Sequence, residues 1–397
     1  MKFTNSQIKA IEDIKSFIKD KIKNIHCLSG SPGTGKSYLI KNAIPLLIKN
    51  SNYHLEVSAT TNKASAVING KTLCKLYGIA LKADLNTGKQ EYNTDRAKKL
   101  YDRFIIIDEV SMLDATLWKI VNNLSFNCKF LLVGDKYQLP AVGSSIDVFS
   151  IYPTSELTEV VRQTDKNFLN QIIKAKEGVL NNYMYYPEDI APVHILGKKD
   201  HKYIRDLLST FTTRDKALSY TNNMSINLAN TIRKLQGKSF EFNVGDPVSP
   251  KNYCESNSFG STLYPGQDLV ISEISEPYII SIKSKENTYK IEVRNFNFES
   301  EMGTFISPVD RDYWNILKKT LAKDKDWKNY YYLSEKLVDL RFNEASTVHC
   351  AQGSTYDRVF IDISDISTCR AHSVKARLLY VALSRAKNEV YIYDSRE

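Results

Sequence analysis

Gly30-Ser31-Pro32-Gly33-Thr34-Gly35-Lys36-Ser37 fits the pattern G-x-x-x-x-G-K-[ST], and it stands between an apolar run, Ile25 to Leu28, and a helical pattern, Gly35 to Lys49. In such a loop glycines let successive backbone N–H groups curl around phosphate oxygens, and the helix that follows points the positive end of its dipole at them. A lysine reaches the outer phosphates, and a hydroxyl is offered to Mg²⁺. The candidate nucleotide-binding residues are therefore Gly30, Pro32, Gly33, Thr34, Gly35, Lys36 and Ser37. Lys36 is a catalytic candidate as well, and Ser37 a metal ligand.

Outward from this loop, apolar runs at Leu55 to Ser58, Phe104 to Ile107 and Phe130 to Val133 alternate with helical patterns at Ser6 to Lys19, Lys63 to Asn69 and Ala115 to Leu124. Alternation of this kind predicts an α/β fold with parallel strands covered by helices. Ile105-Ile106-Ile107-Asp108-Glu109 carries two acids to the carboxyl edge of that sheet, where ligand sites of α/β folds lie. Asp108 is expected to hold Mg²⁺ and Glu109 to polarise the water that attacks the γ-phosphorus. Val133-Gly134-Asp135-Lys136-Tyr137-Gln138-Leu139-Pro140 puts Gln138 beyond the next strand as a sensor of the γ-phosphate, although the residues also suit a plain Gly-Asp turn.

Two stretches break the pattern. Between Lys82 and Asp95 the apolar signal lapses, and Asp84 to Lys89 reads as a turn. From about Phe242 to Val309 the texture becomes short alternating strands broken by Gly245-Asp246-Pro247, Pro265-Gly266 and Glu276-Pro277, a small, barrel-like β module. Arg311 to Asn343 is helical, and strand-helix-strand texture returns in Ala345 to Tyr393, so a second α/β domain is split by an insertion.

Composition narrows the function. With 42% hydrophobic and 25% charged residues in 397, the chain is neither disordered nor collagenous. The excess of 54 Lys and Arg over 45 Asp and Glu, with 24 Tyr, leans toward a polyanionic partner. None of the six cysteines forms a CxxC pair, which excludes a zinc or redox centre of that type and suits reduced thiols in the cytoplasm. No apolar run of about 18 residues marks a membrane span.

Behind the P-loop, Asp108-Glu109, Gly134-Asp135-x-x-Gln138-Leu139-Pro140, Leu157-Thr158-Glu159-Val160-Val161-Arg162-Gln163, His349-x-x-Gln352-Gly353 and Tyr380-Val381-Ala382-x-Ser384-Arg385 follow in order. This series resembles the superfamily one helicases, within them the RecD branch and its Dda-like phage members. The resemblance implies two RecA-like P-loop motor domains, a small inserted hairpin or pin, and an inserted SH3-like β module. The expected bounds are 1–71 with 97–185 for the first motor domain, 72–96 for the pin, 186–248 with 344–397 for the second motor domain, and 249–343 for the module with its helical extension.

The resemblance also implies ATP and Mg²⁺ as cofactors and single-stranded DNA and DNA forks as partners. It makes Arg162 and Arg385 the arginines that reach the γ-phosphate. Phe3-Thr4-Asn5-Ser6-Gln7 matches the adenine-reading motif with Gln7 on the base, although an ordinary helix cap fits the same residues. Tyr220 is expected against the adenine, and Gln352 and Gly353 at the nucleotide. DNA contacts are expected from Thr60, Asn62, Thr347 and His349, with the aromatic Tyr92 against the last base pair at the fork. Cys74 replaces a better hydrogen-bond donor of the family pattern, so its expected place is in packing. Movement from 5′ to 3′, a monomeric state, replication or recombination proteins as partners and a host cytoplasm follow from the same likeness. An RNA translocase, or an ATPase switch that does not move, are the rivals.

Overall fold

The computed structural model describes residues 3–140, 146–161, 163, 165–258, 261–284 and 287–397. It divides into two compact units, the first made of Met1–Ala80, Tyr92–Lys199 and Ala351–Glu397, the second of Leu81–Glu91 and Asp200–Cys350.

The first unit is built on a parallel sheet of six strands in the order Thr154–Leu157, Ile25–Gly30, Lys129–Gly134, Arg103–Asp108, His54–Ala59 and Lys71–Thr72. Its central strands are apolar on both faces because helices cover both sides. Ile106, Leu131 and Leu28 join one core with Ile14 and Phe17 of the helix Asn5–Lys19, while Ile105, Ile107 and Leu132 join another with Trp118 and Val121 of Ala115–Asn123. The register pairs Ala59 with Asp108 and Ser29 with Gly134. The ends of these strands, and with them the P-loop and both acids, therefore meet at one edge. The expected helix over Gly35 to Lys49 is two pieces, Lys36–Asn42 and Ile44–Ile48; Pro45, which has no N–H to continue the ladder, opens the second.

The C-terminal stretch belongs to this same unit. Tyr356–Asp362 and Ala386–Tyr393 pair in parallel, Val193–Leu196 joins the latter, and the helix His372–Leu383 packs on Lys166–Leu180. Strands from 186–248 and 344–397 stand in one sheet order, Val193–Leu196, Ala386–Tyr393, Tyr356–Asp362, Lys216–Ser219 and Ala345–Thr347. Within the first unit Arg377 donates to the carbonyls of Lys136 and Gln138, and the Tyr380 hydroxyl to Asp135.

In the second unit Lys216–Ser219 and Ala345–Thr347 pair in parallel. The β module is antiparallel, running Tyr278–Lys283, Thr288–Phe298, Leu269–Ile274, Pro247–Pro250, Leu340–Phe342, with Glu301–Pro308 on the other side of the long Thr288–Phe298 strand. Phe296, Phe298, Phe305 and Leu340 fill one core, and Trp314, Leu317 and Leu333 of the helices Arg311–Lys323 and Trp327–Lys336 a second.

The excursion is a hairpin of Ala80–Ala83 and Gln90–Asn93 whose turn is held by Asp84, which accepts from the Asn86 N–H and the Thr87 hydroxyl. Its tip clusters with the second unit, because the Tyr331 hydroxyl donates to the Gly88 carbonyl at 2.9 Å and a Cβ at Gly88 would collide with the Trp327 ring. Among the described residues no helix is long and apolar enough to cross a membrane.

Candidate nucleotide-binding site

Gly33 and Gly35 have φ of 83° and 91°, a left-handed backbone that other residues rarely adopt, and so the loop turns back over the end of its own strand. Thr34 is buried with its hydroxyl on the Ser31 carbonyl at 2.8 Å. The Lys36 ammonium folds into the loop, donating to the carbonyls of Gly30 at 2.5 Å and Ser31 at 3.2 Å. Glycine at 30 is required by space, since a Cβ there would lie 2.5 Å from the Thr34 hydroxyl oxygen.

Around this loop the first unit forms a cavity of about 240 Å³. Asp108, Glu109, Gln138, Gly353 and Arg385 line it together with Pro32, Gly33, Gly35, Lys36 and Ser37. The sequence motifs thus converge on one place, although they are spread over most of the chain.

Glu109 sits at φ 54°, and this left-handed turn directs the chain away from the strand while the Glu109 N–H bonds the Asp108 carboxylate at 2.9 Å. Burial, with Glu109 beside it, pushes the Asp108 carboxyl up to about 7, against the pull of Lys36. The Thr60 hydroxyl donates to the Glu109 carbonyl and the Thr60 N–H to the Asp108 carbonyl, so Thr60 braces the acids.

Gln138 is 3% exposed. Its amide nitrogen reaches the buried Asp135 carboxylate at 3.4 Å, whereas its amide oxygen is buried without a partner. Arg385, also 3% exposed, donates to the carbonyls of Val381 and Ser354 and to the Ser384 hydroxyl. Among the described residues no carboxylate closes an ion pair on it, and burial holds its guanidinium below the ordinary value. Gln352 donates to the Leu139 carbonyl at 3.3 Å, which ties the His-x-x-Gln-Gly segment to the end of the sensor segment. Arg162 lies outside the described residues.

Two expectations, for Gln7 and Tyr92, come out differently. Gln7 does not line the cavity: its amide oxygen accepts from the Thr4 N–H at 3.1 Å in a capping box, and its amide nitrogen donates to the Thr34 carbonyl at 2.9 Å. It braces the loop from behind. Tyr92 is half-buried against the core of the first unit, where burial raises its hydroxyl, so its ring is engaged in packing. Tyr220 lies in the second unit, its ring 6.4 Å from that of His349. Cys74 packs in the first unit's core as expected, and burial pushes its thiol up.

In the second unit Thr347 is buried and accepts from the Cys350 N–H at 3.4 Å. Burial and the nearby Lys251 hold His349 below the ordinary imidazole range, which leaves it neutral at pH 7. Asn62 opens the helix Asn62–Val67, which the Thr61 hydroxyl caps by accepting from the Ala64 N–H. Three residues escaped the sequence reading. Asp135, Arg377 and Tyr380 form the buried polar links described above; Asp135 and Tyr380 stood within the Gly-Asp-x-x-Gln and Tyr-Val-Ala stretches, and Arg377 lay outside both.

A glycine loop between strand and helix, with two acids at the edge of a parallel sheet, defines a P-loop nucleotide-binding protein. Residues 14–144 match the AAA domain family and residues 343–393 the UvrD-like helicase C-terminal domain. The ATP-dependent DNA helicase PIF1 of Xenopus laevis is 26% identical over 91% of this chain, which spans 57% of that protein's length. The ATP-dependent DNA helicase dda of Enterobacteria phage T4 is 23% identical, with 98% of each chain covered. The crystal structure of the Pif1 helicase from Bacteroides, in complex with ADP-AlF3 and single-stranded DNA, is 18% identical and superposes with a TM-score of 0.55 over 100% of this chain and 93% of that one. The fold is thus the one with two RecA-like domains, and the chain is similar in sequence to ATP-dependent DNA helicases.

Proposed function

We propose that the chain is an ATP- and Mg²⁺-dependent DNA helicase that moves along single-stranded DNA, 5′ to 3′ by its family likeness, and separates duplex DNA at forks. The ATPase half rests on an imbalance around the glycine loop. Among the described residues, a buried guanidinium at Arg385 with no carboxylate in ion-pair contact and a buried amide oxygen at Gln138 without a donor both cost free energy when left so. A γ-phosphate and an attacking water supply the missing partners.

The donor set fits Mg²⁺, since the Ser37 hydroxyl and Asp108 carboxylate line the cavity as hard oxygen ligands, and this ion takes one or two protein groups beside substrate phosphates. When bound, the ion neutralises charge on the outer phosphates. Lys36 exchanges the loop carbonyls for the same phosphates, Glu109 orients the attacking water, and Gln138 registers the γ-phosphate. Arg385, joined by Arg162 on family likeness, stabilises charge in the transition state.

Thr347, His349 and Asn62 are assigned to the strand, and Thr60 connects that loop to the acids. The β module is read as the SH3-like insertion. The hairpin is read as the wedge, because its tip is held by the helix Trp327–Lys336 instead of hanging free. Tyr92 is not carried into that role.

ATP turnover measured with equal lengths of single-stranded DNA and RNA tests the proposal. DNA should stimulate turnover the more strongly, and Lys36→Ala should be silent with both. Equal stimulation by RNA would favour an RNA translocase, and no response to either a nucleotide switch.

A further inference from the structure

The phosphate-binding residues stand at one edge of the first unit's sheet, and the opposite edge carries a second chemistry. Arg103–Asp108 and Lys129–Gly134 both run toward the nucleotide cavity, and at their far ends they are preceded by aromatic residues, Tyr101 and Phe126. Six residues of strand put that edge about 20 Å from the acids.

Leu100–Tyr101 and Ser125–Phe126 form a short parallel ladder whose register sets the two rings side by side. The rings stack at 5.1 Å with 18° between their planes, yet Tyr101 is 53% exposed and Phe126 41%. Alternation explains the exposure: Leu100 packs inward on the core that holds Trp118, so its neighbour Tyr101 points out. The backbone fixes the pair, since the Leu100 N–H donates to the Leu124 carbonyl at 2.9 Å and the Asp102 N–H to the Phe126 carbonyl at 3.1 Å. Little ordering is left for a partner to impose, which lowers the cost of binding.

The surround is basic. Lys98 and Lys99 are exposed, and the Lys99 ammonium lies 5.7 Å from the centre of the Phe126 ring. The strand Ile25–Gly30, which pairs with Lys129–Gly134, is entered at this edge through Lys21-Ile22-Lys23, with Ile22 89% exposed. The nearby acids are turned to their own loops: Asp20 accepts from the N–H groups of Ile22 and Lys23 at 2.7 and 3.0 Å, and Asp102 from the Asn127 amide. Aromatic anchors with a charged rim are the anatomy of a protein-docking patch. Its occupant has to bring negative charge for the lysines and an apolar side chain for the rings. A nucleic acid would meet the charge, but bases stack on open ring faces, and Phe126 is already engaged by Tyr101 and Lys99.

We infer that this edge docks an acidic segment of a partner protein, with an apolar side chain of the segment seated on Tyr101 and Phe126 and its carboxylates on Lys98, Lys99, Lys21 and Lys23. The contact is separate from the nucleotide cavity and does not depend on the ATPase reading.

The test uses the full chain and a fluorescein-labelled peptide of alternating Asp and Glu with a Phe-Leu pair at its centre, followed by fluorescence anisotropy. Tyr101→Ala and Phe126→Ala should each weaken binding about tenfold, as removal of an anchor does. Lys99→Glu, at an exposed position where folding is not at stake, should weaken it by a similar factor and flatten its salt dependence. A peptide with Ser-Ser in place of Phe-Leu should bind about tenfold more weakly to wild type and equally to Tyr101→Ala. ATP turnover should stay at the wild-type level in all three variants. Absence of binding to wild type, or an affinity unchanged by the three substitutions, would overturn the inference. So would displacement of the peptide by oligothymidine whose own affinity falls in Tyr101→Ala, because the edge would then be a nucleic-acid surface.

Discussion

Asp108 sits where its charge is unwelcome. Burial and the adjacent Glu109 raise its carboxyl from 3.8 to about 7. A carboxyl raised on folding costs nothing below its unfolded value; the cost grows as pH climbs toward the folded value and is complete above it. Asp108→Asn should therefore raise the thermal midpoint in metal-free buffer, by an amount that grows from about pH 4 to 7 and then levels off, while ATP turnover is lost. A midpoint difference independent of pH would show that the carboxyl is not held up. Arg385 makes the opposite demand, a buried cation that among the described residues has no carboxylate in ion-pair contact. Arg385→Ala should lower kcat by roughly 10³-fold. Lysine should not restore it, because a single ammonium cannot hold the Val381, Ser354 and Ser384 oxygens and the phosphate together. Steady-state kinetics decide: raised KM alone would reduce Arg385 to a binding residue. At this scale the loop and the acids were legible because each motif is local. The work of Gln7 was not, since its partner Thr34 is distant in sequence and the contact is made to a backbone carbonyl.

The hairpin and the helix Trp327–Lys336 form the contact between elements on which strand separation is proposed to rest. Gly88 at φ 71° lets the turn close, and its carbonyl takes the Tyr331 hydroxyl. A wedge must resist bending to be useful. Trp327→Ala should remove the ring that the turn rests on and cut duplex unwinding several-fold while single-strand-stimulated ATP turnover persists, since no residue of the cavity is touched. Equal unwinding per ATP consumed would place strand separation elsewhere. The sequence showed that a tight turn lay near Asn86-Thr87-Gly88, because Asp, Asn and Gly announce one. It could not show what the turn leans on, and it drew attention to Tyr92, whose partners lie in the first unit's core. The split after Asn42 was missed although Pro45 signals it, whereas the burial of the parallel strands was readable from their unbroken apolar runs.

The whole molecule gathers its nucleotide site from both ends of the chain. Alternation of strands and helices announced two α/β blocks with an insertion, and the structure has the RecA-like fold that this implied. The buried links of Arg377 and Tyr380 to the Gly134–Pro140 segment were not legible, because they join residues more than half the chain apart. The central claim is that ATP turnover in this site drives separation of DNA strands. It is tested most directly by unwinding of a duplex carrying a 5′ tail, a 3′ tail or neither, with wild type and Lys36→Ala side by side. The account predicts ATP-dependent unwinding of the 5′-tailed duplex by wild type, little on the other two, and none by Lys36→Ala despite retained DNA binding. Failure of wild type to unwind any of the three while hydrolysing ATP, or unwinding by Lys36→Ala, would contradict it.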